Sequence, residues 1–100
     1  MSRPYYAEYV NHILRFYFRY DSSKGFKNDV DKTNYFSADR VVKKLSDTEQ
    51  KVLTTIYQQD NVNLVENIVV ASKQFNEDPT KIWSLVSATT TKVAKERKLL

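Results

Sequence analysis

Between Thr80 and Lys98 the residues Thr80, Lys81, Ser84, Ser87, Ala88, Thr91, Lys92, Lys95 and Lys98 recur at helical spacing and share one face. Short hydroxyl and alanine side chains let a helix backbone approach a nucleic-acid groove, and lysines beside them meet phosphates. No acidic residue falls on this face. A solvated surface helix more often alternates Glu and Lys at i,i+4. Residues 79–100 hold Lys81, Lys92, Lys95, Arg97 and Lys98 against Glu96, so their surplus equals the chain's whole net charge of +4. Residues 1–20 carry +2, 21–60 carry none and 61–78 carry −2. A positive stripe confined to one element is the footprint of polyanion binding. The competing reading is a lysine-rich helix end that complements its own dipole. The face also lacks Arg, Asn and Gln, the side chains suited to bidentate base contacts, and Glu77 and Asp78 put negative charge at its start.

Other chemistry is poorly represented. His12 is the only histidine, it sits beside Glu8 and Arg15 on a polar helix face, and there is no cysteine. Disulfides and thiolate metal sites are thereby excluded. No glycine-rich phosphate loop, metal-ligand cluster or nucleophile motif occurs. Asp29 and Asp31 lie at a helix start, where a dipole role suffices. The expectation is a non-enzyme with no cofactor, no metal and no catalytic residue.

The elements that must position the basic face meet at Phe75-Asn76-Glu77-Asp78-Pro79. Asn tolerates the left-handed conformation that ends a helix. Asp78 can cap the next helix, and Pro79 fits its first position, where no N–H is needed. Helices joined so tightly can form a helix-turn-helix. Upstream, Ser46-Asp47-Thr48-Glu49 has the spacing of a capping box and predicts a helix to about Gln59, buried through Val52, Leu53, Ile56 and Tyr57. Asn63 and Glu66 repeat that spacing and predict a helix to Phe75. A helix over about Asn28–Leu45 would bury Val30, Ala38, Val41, Val42 and Leu45, with a break possible at Asn34-Tyr35-Phe36-Ser37. Asp21-Ser22-Ser23-Lys24-Gly25 reads as the loop before it. In the last helix, Ile82, Leu85, Val86, Thr89, Val93 and Leu100 form the inward stripe, with Trp83 at its border.

The first helix, expected from about Arg3 to Tyr20 with Pro4 near its start, spreads apolar and aromatic residues over about 220° of its circumference. It can serve as the central rod of a bundle. Alternatively, Tyr5, Tyr6, Tyr9 and Tyr17 can form a partner surface, since tyrosine joins an apolar ring to a polar tip. Stacking of bases on these rings is a third option.

One hundred residues without a membrane-length apolar run or a signal-peptide pattern point to one cytoplasmic helical domain. The expected fold is all-α: a compact bundle of about five helices, with aromatic-rich helices in 1–45 and a C-terminal helix-turn-helix unit in 46–100.

From Leu45 to Leu100 the chain resembles region 4 of bacterial sigma factors and related phage-type regulators. Leu45-Ser46-Asp47-Thr48-Glu49-Gln50-Lys51-Val52-Leu53 matches the opening of that region. Ala71 and Ser72 occupy its small positions, Phe75 the apolar position before the turn, and Ile82 and Leu85 the positions that hold the recognition helix. Asn76 stands where the family usually has Gly. The resemblance implies a small transcription regulator that docks on double-stranded promoter DNA while touching RNA polymerase. Self-association would assist so small a module, whose phosphate contacts are few. The alternative is a protein-interaction adaptor, or a phage packaging or assembly module, in which the helix-turn-helix is structural.

Overall fold

The computed structural model describes residues 5–100, which form five α-helices with no strand among them. They are α1 (Ala7–Phe18), α2 (Asp29–Val42), α3 (Asp47–Tyr57), α4 (Leu64–Gln74) and α5 (Pro79–Glu96). Arg3 and Pro4, expected to open the first helix, lie outside the described residues.

Helix starts follow their local signals. The Ser46 hydroxyl accepts from Glu49 N while Ser46 N donates to the Glu49 carboxylate, closing the capping box of α3. Asn28 accepts from Asp31 N, and Asn63 accepts from Glu66 N, capping α2 and α4. Helix ends use both the chain and its neighbours. Arg15 donates to the Asp60 carbonyl, and Arg19 to the carbonyls of Gln58 and Gln59. The Gln58 amide answers by donating to the Phe18 carbonyl at 2.8 Å. The C-termini of α1 and α3 therefore satisfy each other's orphan carbonyls, and two of the N-terminal cations are committed to structure.

One apolar core runs through all five helices. It joins Val10, Ile13 and Leu14 of α1, Ala38, Val41 and Val42 of α2, and Val52, Leu53, Ile56 and Tyr57 of α3. Ile68 and Ala71 of α4 and Ile82, Val86, Val93 and Ala94 of α5 complete it. The core crosses the boundary between 45 and 46, so the two halves share their hydrophobic interior. α1 lies against α2, α3 and α5, which is the rod arrangement its wide apolar face allows. The radius of gyration, 13.1 Å, is that of a compact chain of this size.

Several expectations are corrected. α2 does not break at Asn34–Ser37. The Ser37 hydroxyl donates to the Thr33 carbonyl at 2.8 Å, and Tyr35 packs among Tyr17, Tyr20 and Phe26 with ring centroids 4.6–5.4 Å apart. Tertiary packing overrides the weak propensity of that stretch. Val30 is exposed, because it lies in the first turn of α2, short of the core. Leu100 is also exposed, since α5 ends at Glu96 and cannot carry the inward stripe that far. α1 stops before Tyr20, where Asp21 accepts from both Ser23 N and the Ser23 hydroxyl, turning the chain.

Candidate nucleic-acid interface

The turn before α5 is built from the residues that should build it. Asn76 has φ +49°, and Glu77 N donates to the Ser72 carbonyl at 3.0 Å, the six-to-one bond of a Schellman end on α4. Asp78 then accepts from Thr80 N at 2.8 Å, with Pro79 at the first helical position. Only four residues, 75–78, separate α4 from α5, and the two helices pack on each other.

Once started, α5 is oriented by what it buries. Ile82, Val86, Thr89, Thr90, Val93 and Ala94 are buried, and Leu85 and Trp83 pack against the core at half exposure. The opposite face follows by geometry. Thr80, Lys81, Ser84, Ser87, Ala88, Lys92, Lys95 and Lys98 are exposed, and Thr91 is half-buried. Seven of the nine candidate residues are thus exposed on the outer side of α5, Thr91 sits at its half-buried border, and Lys98 is exposed just past the helix end.

Their electrostatics are uneven along the helix. At the start of α5, Lys81 pairs with Glu77 at 3.7 Å, and a shallow groove there is lined by Glu49 and Glu77 as well as Lys81. At the other end, Lys92, Lys95 and Lys98 have no carboxylate partner among the described residues. Glu96, the one acid of this segment, is drawn to α2, where it receives Arg40 at 2.9 Å. Arg97 also turns toward α2 and donates to Asn34 at 2.7 Å, within a cluster that includes the Tyr9 hydroxyl. Glu96 and Arg97 are therefore spent on holding α5 to α2, and the lysines are left on the open side. Lys98 has φ +60°, and Leu99 N donates to the Ala94 carbonyl at 2.8 Å, so the helix ends in a second Schellman turn. The positive surface is the C-terminal half of α5, a narrower patch than the residue pattern suggested.

No family model, curated protein or solved structure matches the chain.

The tyrosine face of the first helix divides. Tyr6 is buried at 8% exposure in the core. Tyr17 is half-buried and donates its hydroxyl to Asp39 at 2.7 Å. Tyr6 is closed to a partner by its burial, whereas Tyr17 keeps part of its surface open. Tyr5 and Tyr9 remain exposed; the Tyr5 hydroxyl donates to the Leu99 carbonyl, and Tyr9 hydrogen-bonds Asn34. Hydrogen bonds from Asn34 and Arg97 hold the Tyr9 phenol below its usual range. Burial, with the carboxylate of Asp39 beside it, pushes the Tyr17 phenol up. Burial opposes ionisation of Asp39, yet its hydrogen bonds with Lys43 and Tyr17 outweigh that and keep its carboxyl below the usual range.

His12 lines a cavity of about 170 Å³ between α1, α3 and α4 with Asn11, Arg15, Tyr57 and Asn67. Among the described residues no three His, Asp or Glu side chains converge as a metal site would require. None of the helices described is long and apolar enough to cross a membrane. One surface was missed by the sequence reading: Val62, Val65, Val69 and Val70 are exposed on and just before α4. Only the packing of α4 on α3 and α5 decides that these valines face out while Ile68 and Ala71 face in.

Proposed function

We propose that the chain is a DNA-docking unit. In this reading α4 and α5 act as a helix-turn-helix, and α5 lies in a major groove with Lys92, Lys95 and Lys98 on the phosphates. The observation that carries it is the isolation of those three lysines from every described carboxylate, on a helix whose outer residues are otherwise short. Lys92 and Lys95 stand about 4.5 Å apart along the helix axis, and Lys98 follows just past its end; in this reading they meet neighbouring phosphates, which succeed one another at roughly 3.4 Å of axis on one strand. Thr80, Lys81, Ser84, Ser87, Ala88 and Thr91 form the close-approach part of the same face. With no Arg, Asn or Gln there, affinity is mostly electrostatic and specificity comes from a partner.

The sigma-region-4 resemblance names that partner as RNA polymerase and makes the protein a small transcription regulator of phage type, acting in the cytoplasm. Of the four tyrosines, the exposed Tyr5 and Tyr9 offer the most surface for such a contact, the half-buried Tyr17 less and the buried Tyr6 least. No reaction is assigned to the chain. The double variant Lys92→Glu/Lys95→Glu tests the proposal. Fluorescence anisotropy with labelled duplex DNA at low salt should show binding by the natural protein and its loss in the variant. An unchanged thermal unfolding curve would show that the fold survives. Equal binding by both proteins would refute the reading. A second reading, a protein-interaction adaptor or phage assembly module, draws support from the exposed valines of α4.

A further inference from the structure

Helix α4 turns three valines to solvent. Val65, Val69 and Val70 are 56%, 41% and 45% exposed, and Val62, just ahead of the helix, is 78% exposed. β-Branched residues are mediocre helix formers, so an isolated chain gains nothing from them on an outer helical face. Their exposed apolar surface is on the order of a few hundred Å² in all, an amount that commonly marks an interaction site.

The charges around the patch indicate what covers it. Between Asn61 and Asn76 the only charged residues are Glu66 and Lys73. They stand seven residues apart, close to two helical turns, so they share one line along the helix, with Val69 and Val70 on either side of it. Their midpoint falls between Val69 and Val70. A copy of α4 laid antiparallel about a two-fold axis at that midpoint brings Val69 of each copy onto Val70 of the other. The same operation brings Glu66 of each copy to Lys73 of the other, at both ends of the contact. Such an interface is isologous, and its acid, apolar centre and base are already in self-complementary order. Neither charge is used elsewhere in an ion pair among the described residues. Glu66 accepts an amide hydrogen from Asn61 through one oxygen, and its other oxygen has no hydrogen-bond partner among the described residues. Opposed helix dipoles add to the match. A nucleic acid would meet Glu66 and a single lysine here, and so fits poorly.

We infer that the α4 surface formed by Glu66, Val69, Val70 and Lys73 binds the same surface of a second copy of this chain, giving a two-fold dimer. This rests on α4 alone and does not require that α5 bind DNA. The apolar area is well below the roughly 800 Å² that each partner buries in a standard interface, so the dimer is weak and concentration-dependent.

Sedimentation velocity of the full chain over roughly 1–500 μM tests it, a range that brackets a micromolar dissociation constant. The natural chain should shift from 11.8 kDa toward twice that mass as concentration rises. Glu66→Lys leaves only lysines at the two charged positions, and Lys73→Glu leaves only glutamates. Each variant alone should dimerise at least about tenfold more weakly, and a one-to-one mixture should recover a dimer, because every cross-copy pair is then opposite in charge. Val69→Glu should be monomeric throughout, with circular dichroism unchanged. If that variant fails to fold, the two charge variants still decide the matter, since both positions are exposed. A natural chain that stays monomeric at every concentration would overturn the inference and leave the valines to a different partner. A dimer indifferent to these substitutions, or a mixture no tighter than its components, would overturn it equally.

Discussion

Salt dependence gives the DNA proposal a number. Three lysines, Lys92, Lys95 and Lys98, are exposed and unpaired among the described residues, whereas Lys81 is held 3.7 Å from Glu77. If each of the three neutralises one phosphate of duplex DNA, log Kd against log salt should have a slope near +2.7, about 0.9 per phosphate. Raising salt from about 50 to 200 mM should then weaken binding by roughly 40-fold. Changing Lys95→Ala should lower the slope to about 1.8 and the loss to roughly 12-fold. Lys81→Ala should change the slope much less, because that lysine already has a counter-ion. Fluorescence anisotropy with a short labelled duplex, repeated at four or more salt concentrations, reads these slopes. A slope near zero, or one that responds to Lys81 and ignores Lys95, would refute the assignment of the phosphate contacts.

Three further outcomes test the fold beneath the site. Among the described residues, the Thr89 hydroxyl is the buried side-chain atom without a hydrogen-bond partner, at 1% residue exposure. Thr89→Val removes that desolvation cost at equal volume and similar helix propensity, so urea unfolding should show a gain of about 1 kcal/mol. A loss would mean that the hydroxyl is satisfied. At the turn, Asn76 has φ +49°; Asn76→Ala should cost about 1 kcal/mol, whereas Asn76→Gly should be tolerated, both read by thermal unfolding. A harmless alanine would contradict the left-handed assignment. Finally, Asp39 has a folded pKa below its ordinary value, 3.8. Its stabilising effect is therefore present above pH about 4 and is lost as pH falls through the lower folded value. Asp39→Asn should flatten the acid limb of stability against pH below about 4, and an unchanged limb would exclude the Tyr17–Asp39–Lys43 cluster as its source.

Much of this was legible because it is local. The Ser46–Glu49 box, the Asn63 cap and the Asn76–Asp78–Pro79 turn each involve groups within three residues, so their types and spacing are sufficient. The outward face of α5 was legible too, because eight of its nine residues are polar and sit opposite a clear apolar stripe. What was hidden depends on contacts between distant segments. Arg97 meets Asn34 across 63 positions, and no periodicity in either helix announces it. Tyr5 and Tyr6, just ahead of α1, look alike in sequence, and only tertiary packing decides that Tyr6 is core while Tyr5 is surface. In α4, Ile68 and Ala71 take the inward positions while Val65, Val69 and Val70 face out, a division that apolar character alone does not make. Charge counting also overstated the free cations, since Arg15 and Arg19 cap helix ends.

The central claim is that the C-terminal half of α5 is the DNA-contacting surface. Titration of isotope-labelled protein with a duplex at low salt, followed through backbone amide shifts, tests it most directly. The account predicts shifts concentrated from Ser87 to Lys98, largest around Lys92 and Lys95, with the buried side of α1 undisturbed. No shifts at saturating DNA, or shifts centred on α4 or on Tyr5 and Tyr9, would contradict it.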